Sequence, residues 1–408
     1  MKNQRQQPEK QTRRGAITLL AVVGMVVALG GIALVLDQIW LDMASTEMTA
    51  GVEAPALAAA KLLANDNLLK SKPFQKRDHH FEEARHVAGD IAAQNRVAGR
   101  PLHLDTSPQG DIRFGNLTRD AATGAVQFLE TTDSPTSVLV TGRRTRKRNN
   151  PVALFLQGIS GTPAGDVIVQ STATIDNRII GIRPNKRFAV PALPMAILKS
   201  SADPKQTKTW DIQIEQRLGR DLYSYDTKTN RVVLKADGIP EIILRSVPLG
   251  TDPQTTNIVL LDLNNNLRDE KIISQIQRGW QREDLKRLHG ELRFDHGLVP
   301  MKASCVVASP VARGFAAMIG QPRICPLYIN HTPYGKQGQG KVQLAGLVAG
   351  RVMSVKAISG TETEIVFQPT LLTTRTALLP NNRLTNSNDE QNSRTIKNRY
   401  IYKLYLTH

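Results

Sequence analysis

A run of twenty-one residues without a charge, Ala16 to Leu36 (AITLLAVVGMVVALGGIALVL), constrains this chain more than any other feature. As a helix it rises about 31 Å, which matches the hydrocarbon core of a bilayer. Arg13 and Arg14 precede it, Asp37 closes it, and Trp40 follows where an interfacial aromatic belongs. Lys2, Arg5 and Lys10 lie on the near side with the arginine pair, whereas Asp37, Asp42 and Glu47 lie beyond the run. The positive-inside rule then sets residues 1–14 in the cytoplasm and the chain after about residue 37 outside. A cleaved signal peptide needs a shorter apolar region ending in small residues, and Asp-Gln-Ile-Trp-Leu-Asp follows here instead. A buried soluble helix fits poorly with a stretch apolar on all sides behind two arginines. The expectation is a single-pass protein of the cytoplasmic (inner) membrane, N-terminus inside and C-terminal part exported. Ala16, Leu36, Asp37 and Trp40 would mark its membrane boundary, and the lipid bilayer is its first expected partner.

Helix-forming composition continues past the run. Asp42 to Asn65 (DMASTEMTAGVEAPALAAAKLLAN) is rich in Ala, Met, Leu and Glu, so one helix is expected from the membrane to about residue 65, with Pro55 able to kink it. Residues 66–78 read as a polar linker. Phe81 to Val97 carries Ala84, Val87, Ala88, Ile91 and Ala92 at helical spacing and stops at Gly99. Strands are expected at Asp111–Phe114, Ala125–Leu129, Ser137–Val140, Trp210–Ile214, Arg231–Leu234 and Glu241–Leu244, with turns at Asp120–Gly124 and Tyr225–Asn230. Arg268–Gly279, Arg282–Leu288 and Arg313–Ile319 read as short helices. Val342–Ile358 is apolar enough to raise a second span, but Lys341, Arg351 and Lys356 interrupt it, which favours a buried strand pair. Residues 380–396 are polar and read as disordered; Tyr400–Leu406 reads as a terminal strand or a docking segment.

These elements amount to an α+β chain: a long N-terminal transmembrane and stalk helix, then mixed α/β exported domains rich in antiparallel strands. The expected divisions are a cytoplasmic basic tail at 1–14, the helix at 15–65, exported α+β domains at 79–200 and 201–379, and a polar tail at 380–408.

The 408 residues carry a formal charge of +17, which points to polyanionic surroundings: nucleic acid, anionic lipid or envelope polymers. The first fourteen residues account for a net +4, so most of the basicity lies elsewhere. The densest run is Arg143, Arg144, Arg146, Lys147 and Arg148, readable as a contact for an anionic surface or as a solvated hairpin tip. Aromatics are only 5% of residues and none interleaves this run, so no nucleic-acid partner is expected.

Cys305 and Cys325 suit a disulfide across an exported loop, or two buried thiols. His79, His80 and His86 have no carboxylate or cysteine partner fixed by spacing and read as a solvated helix start. Asp262 ends the apolar stretch Asn257–Leu261, but Leu263, Asn264, Asn265 and Asn266 stand where an Asp-x-Ser-x-Ser metal site needs its serines. Gly335–Lys341 is glycine-rich without the P-loop order and reads as a flexible loop. Ser160 and Ser309 lie in no nucleophile elbow. No catalytic set, cofactor or metal site is expected, and the chain is not expected to be an enzyme.

Arg13-Arg14-Gly15-Ala16, the apolar run ending Ala33-Leu34-Val35-Leu36-Asp37, and the Ala-rich Glu53–Ala60 resemble the N-terminal module of TadG/TadE-like proteins of tight-adherence (Flp) pilus assembly. The departures are Val52-Glu53-Ala54-Pro55 in place of an Ala-Ala-Asp element, and Leu20 where a glutamate marks prepilin processing. Gly110–Gly115, Asp120–Gly124, Ser137–Arg144, Asn150–Phe155, Gly290–Leu292, Ile319–Tyr328 and Leu347–Met353 resemble, in that order, TadG-like proteins of planctomycete-type bacteria. The resemblance implies a permanently anchored cell-envelope protein, with other pilus-assembly or envelope proteins as partners and no established catalysis. A minor-pilin-like filament subunit and an exported binder of anionic polymers are the alternatives.

Overall fold

In chain order the main elements are α1 (Arg13–Leu63), α2 (Arg77–Gln94), β1 (Ile112–Arg119), β2 (Val126–Glu130), β3 (Ser137–Arg144), β4 (Val152–Ala153), β5 (Ala164–Gly165) and β6 (Val167–Asp176). Then follow β7 (Met195–Leu198), β8 (Tyr223–Asp226), β9 (Arg231–Leu234), β10 (Ile242–Ser246), β11 (Ile258–Leu261), α3 (Asp269–Arg278), β12 (Val299–Ser304) and α4 (Ser309–Ala316). The chain closes with β13 (Pro322–Pro333), β14 (Gln339–Ala357), β15 (Thr363–Pro369), β16 (Leu372–Thr374) and β17 (Ile401–Thr407). The computed structural model describes residues 13–70, 77–120, 123–155, 163–246, 256–333, 339–360, 362–380 and 397–407.

α1 is one helix of 51 residues with Pro55 inside it. Its two halves differ in what surrounds them. From Leu19 to Leu36 nearly every large apolar side chain is exposed, whereas Ala44, Met48, Val52, Ala56, Ala59 and Ala60 are fully buried. These recur every three or four residues and form one stripe, the face a packed helix must present. The stripe lies across β6 and β3, with α2 alongside. α2 contributes Phe81, Ala84, Ala88 and Ala92 to the same core, and the Phe81 and Phe114 rings meet at 4.7 Å. Alanine on both helices lets their backbones approach closely. Burying Met48 and Val52 contributes about 1.5–3 kcal/mol each. The stalk is therefore the spine of the first domain rather than a free rod.

The sheet that receives this spine has six strands in the order β16-β17-β6-β3-β1-β2. Its pairings are antiparallel except for β16 with β17. β17 comes from the end of the chain, Leu404 opposite Ile175, so Ile401–Thr407 is a strand of the first domain, not part of a polar tail. Residues 381–396 lie outside the described residues.

The second domain is a seven-stranded sheet, β10-β15-β14-β12-β11-β7-β13, in which β13 also pairs with β14. The extra pairing closes β14, β12, β11, β7 and β13 into a five-stranded ring, with β15 and β10 continuing from β14. One strand of nineteen residues, β14, makes this possible: Val342 pairs with Met301 on one side and His331 on the other, while Lys356 further along pairs with Glu364. Val342–Ala357 thus lies within one strand, where a strand pair was expected over Val342–Ile358. Trp210, Trp280, Phe315 and Phe367 fill the core. β7, at Met195–Leu198, belongs to this sheet, so the second domain begins before residue 201.

Trp210–Ile214 is not the expected strand. Asp211–Glu215 forms a wide helical turn that buries Trp210 against Phe367 and Tyr400, with its indole donating to Glu215 at 3.2 Å. The expected 313–319 helix lies earlier, at Ser309–Ala316, with Pro310 in its first turn. Part of the expected linker is ordered: Asp66–Leu69 forms a helical turn with Leu69 in the second core.

Candidate membrane-anchoring site

The exposed half of α1 contains an eighteen-residue window of mean hydropathy 2.8, of which 6% is buried, so this helix is long and apolar enough to cross a membrane. Ala16 lies in α1, its side chain outside the described residues. Leu36 is exposed. On the side facing the body, burial starts at Ala33 and takes in Asp37; on the opposite side Leu34, Val35, Leu36, Ile39 and Met43 remain exposed. The boundary is therefore tilted around the helix rather than a ring at Asp37.

Asp37 is held by the fold. Its Oδ1 accepts the backbone N–H of Phe155 at 3.0 Å. One turn on, the Trp40 indole donates to the carbonyl of Ala153 at 3.1 Å, and its ring lies 4.7 Å from that of Phe155. Leu41 packs on Gly165, where a Cβ would stand 2.6 Å from Leu41 Cδ2. The small hairpin of β4 and β5, Val152 opposite Gly165, is thereby seated on α1 where its exposed half ends. Phe155, which the sequence reading leaves without a role, is 66% exposed; its only advance signal is an apolar stretch following Pro151.

The basic run does not form an open patch. Arg143 Nη1 donates to Asp111 Oδ1 at 2.8 Å, and Arg148 Nη2 donates to the same oxygen at 3.0 Å. Arg148 Nη1 also bonds Asp111 Oδ2, which accepts the Asp105 N–H at 2.9 Å. Arg144 is buried and spends its guanidinium on the carbonyls of Asn150 (2.6 Å), Val97 (2.6 Å) and Pro151 (3.4 Å). Only Arg146 and Lys147 are exposed, Arg146 lying 3.7 Å from Asp166. Three of the five cations thus brace the β3–β4 connection. Asp111, which needs a positive surrounding to be buried at all, had no visible partner in the sequence.

Cys305 and Cys325 are separate, buried free thiols. Cys305 Sγ lies 3.6 Å from His331 Nε2, and His331 stands six residues beyond Cys325 along β13, roughly 20 Å of strand. A disulfide needs Cα atoms within about 7 Å. Burial pushes the Cys305 thiol up to about 11 and the Cys325 thiol higher still. Burial also lowers the His331 imidazole, so the contact is between neutral groups.

His86 is an exposed partner of Asp90 at 3.0 Å, His80 meets Asn67 at 3.3 Å, and the His79 side chain is outside the described residues. Asp262 Oδ1 accepts the Asn266 N–H at 2.8 Å and caps a strand-to-helix turn. Of the glycine-rich loop, residues 334–338 fall outside the described residues, and Gly340 lies in β14 beneath the His331 ring. Among the described residues, no group of three or more His, Cys, Asp or Glu side chains is placed to hold a metal ion. Compared with family models, with curated proteins and with solved structures, the chain matches none.

Proposed function

We propose that this chain is a single-pass, membrane-anchored cell-envelope protein that serves tight-adherence-type pilus assembly, or a related surface structure, through protein contacts. The division of α1 carries the reading: an exposed apolar first half, continuous with a second half buried as the spine of a folded domain. An exposed apolar run of this size is unfavourable in water by about 25 cal/mol per Å², and a bilayer removes that cost. The basic residues before the run and the acidic ones after it support an inside N-terminus. The resemblance of the first fifty or so residues to TadG/TadE-like modules supplies the pathway. Deleting residues 16–36 should release the protein from membranes into the soluble fraction; continued pelleting of the deletion through high-salt and carbonate washes would overturn the anchor. A C-terminal reporter active only outside the cytoplasm tests the orientation.

One feature favours a filament subunit as the second reading. The exposed half of α1 stands clear of its own fold and is free to pack beside copies of itself. A mature N-terminus at Ala16, read by mass spectrometry, would select that reading; an intact residue 1 excludes it.

A further inference from the structure

We infer that the strands β4 and β5, with Phe155 beside them, form a second membrane contact at the interfacial layer of the bilayer that α1 crosses, the face of the Phe155 ring away from Trp40 lying against lipid. The inference rests on the anchor reading above and adds to it. The exposed apolar side of α1 runs from Leu19 to Met43, a rise of about 36 Å. The hydrocarbon core takes about 30 Å of that and the headgroup layers extend the total to about 40–45 Å. Ile39 and Met43 therefore fall at the interface, and anything fixed to α1 at their level falls there too. The hairpin is so fixed at three points: Phe155 N–H to Asp37, Trp40 indole to Ala153, and Leu41 against Gly165. Ala33, one turn before Asp37 on the same helix face, is buried as well.

Phe155 is then a large apolar side chain, held by its backbone and against Trp40 yet 66% exposed, at the depth where aromatic belts form. The cations at this end of the sheet suit the same layer. Arg146 donates its backbone N–H to Asp166 and its guanidinium to the carbonyl of Ala164, which turns the Arg146–Arg148 segment toward the hairpin base, with Lys147 exposed. Each cation near an anionic leaflet attracts it with about 1 kcal/mol. The bilayer is preferred to a protein occupant because the Phe155 ring packs on Trp40, next to Ile39 and within one turn of Met43, which are themselves exposed on the apolar side of α1.

Spin labels on the full chain test this in vesicles of phosphatidylcholine and phosphatidylglycerol, with Phe155→Cys as the probe. Val27→Cys reports the span. Leu234→Cys, strongly exposed on β9, reports water. The native cysteines are buried and leave the label to the introduced site. The expected result is a label at 155 that oxygen reaches and an aqueous nickel complex does not, at a depth of roughly 5–10 Å. The Val27 label should lie deeper and the Leu234 label in water. Lys147→Glu combined with Arg146→Glu should make the 155 label shallower when phosphatidylglycerol is present and leave it unchanged in phosphatidylcholine alone. A label at 155 as nickel-accessible as that at 234, with Val27 still in lipid, overturns the inference and spares the anchor. Labels at 155 shielded from both relaxants and dipole-coupled to one another also overturn it, placing a second copy on the hairpin. Val27 in water overturns the anchor and the inference together.

Discussion

Asp66 and Arg351 form an ion pair across 285 residues, Oδ2 to Nη1 at 2.5 Å, at the point where the spine of the first domain enters the second. The same carboxylate accepts Thr370 Oγ1 at 2.7 Å and the Leu371 N–H at 2.7 Å, and the Arg351 guanidinium lies 4.5 Å over the Tyr225 ring. Leu69, one turn on, is buried in the second core, and its carbonyl accepts from Arg217 at 2.5 Å. The turn that follows α1 is thus tied to the second domain. Asp66→Ala should destabilise the protein by about 2–3 kcal/mol, because a mostly buried guanidinium loses its charged partner. Calorimetry should show the melting of the two domains moving apart relative to the wild type; an unchanged profile would count against a clamp at this point.

Asp111, immediately before β1, is a second such fixture within the first domain. Its side chain is fully buried and gathers Arg143, Arg148 and the Asp105 N–H. Asp111→Ala leaves two cations that keep some contact with water, so a loss of about 2–3 kcal/mol is expected rather than the larger cost of a fully buried pair. Double-mutant cycles with Arg148→Ala should recover most of that loss; strict additivity would mean the pair is not coupled.

What was legible in the sequence is what local pattern encodes. The continuous α1, α2 near Phe81–Val97, and strands around Phe114, Val138 and Leu244 follow from periodicity and helix propensity over short windows. What was not legible depends on partners distant in sequence. Asp111 reaches Arg143 and Arg148 from 32 and 37 residues away, so nothing near the five cations of residues 143–148 marks three of them as internal braces. Alternating Trp and Ile at 210–214 suggested a strand, but burying the Trp210 ring outweighed that preference. The return of Ile401–Thr407 to β6 and the closure of the five-stranded ring through β14 are pairings between remote segments, and no local signal announces them. Cysteine spacing alone permits a bond that the position of β13 prevents.

Gly142 sets how closely α1 can approach the sheet. A Cβ there would stand 2.6 Å from Val52 Cγ1 and 3.0 Å from Met48 Cγ, both on the buried face. Gly142→Val should push the spine outward and cost about 1–3 kcal/mol. Hydrogen exchange of amides on β3 and β6 should quicken in this variant, while those of the second domain keep their protection. Equal loss of protection in both domains would show that they unfold as one unit.

Alkylation reads the cysteines directly. At pH 8 a thiol pushed up to about 11 is almost wholly protonated, and thiolate is the reactive form. Cys305 and Cys325 should resist a maleimide in the native protein. In denaturant without reductant, both should add the reagent, a mass gain of two labels. No gain under those conditions would mean they are bonded to each other.

Glu241 makes stability depend on pH in a direction unusual for a carboxylate. It is buried, accepts the N–H groups of Leu222 at 3.0 Å and Tyr223 at 2.6 Å, and faces Asp221 and Asp237. Burial pushes its pKa up from 4.5 to about 7, against the two N–H donors. Burial raises Asp237 in the same sense. The folded state therefore keeps a proton that the unfolded chain releases near 4.5. Between that pH and about 7 the folded state binds more protons, so this group's contribution to stability falls as pH rises and levels off above 7. Glu241→Gln holds the site neutral at every pH and should flatten that segment of the curve, whatever its effect on absolute stability. Melting temperatures taken in steps from pH 4.5 to pH 8 should decline more steeply for the wild type than for the variant. Parallel profiles would show that Glu241 ionises in the fold as it does in the unfolded chain.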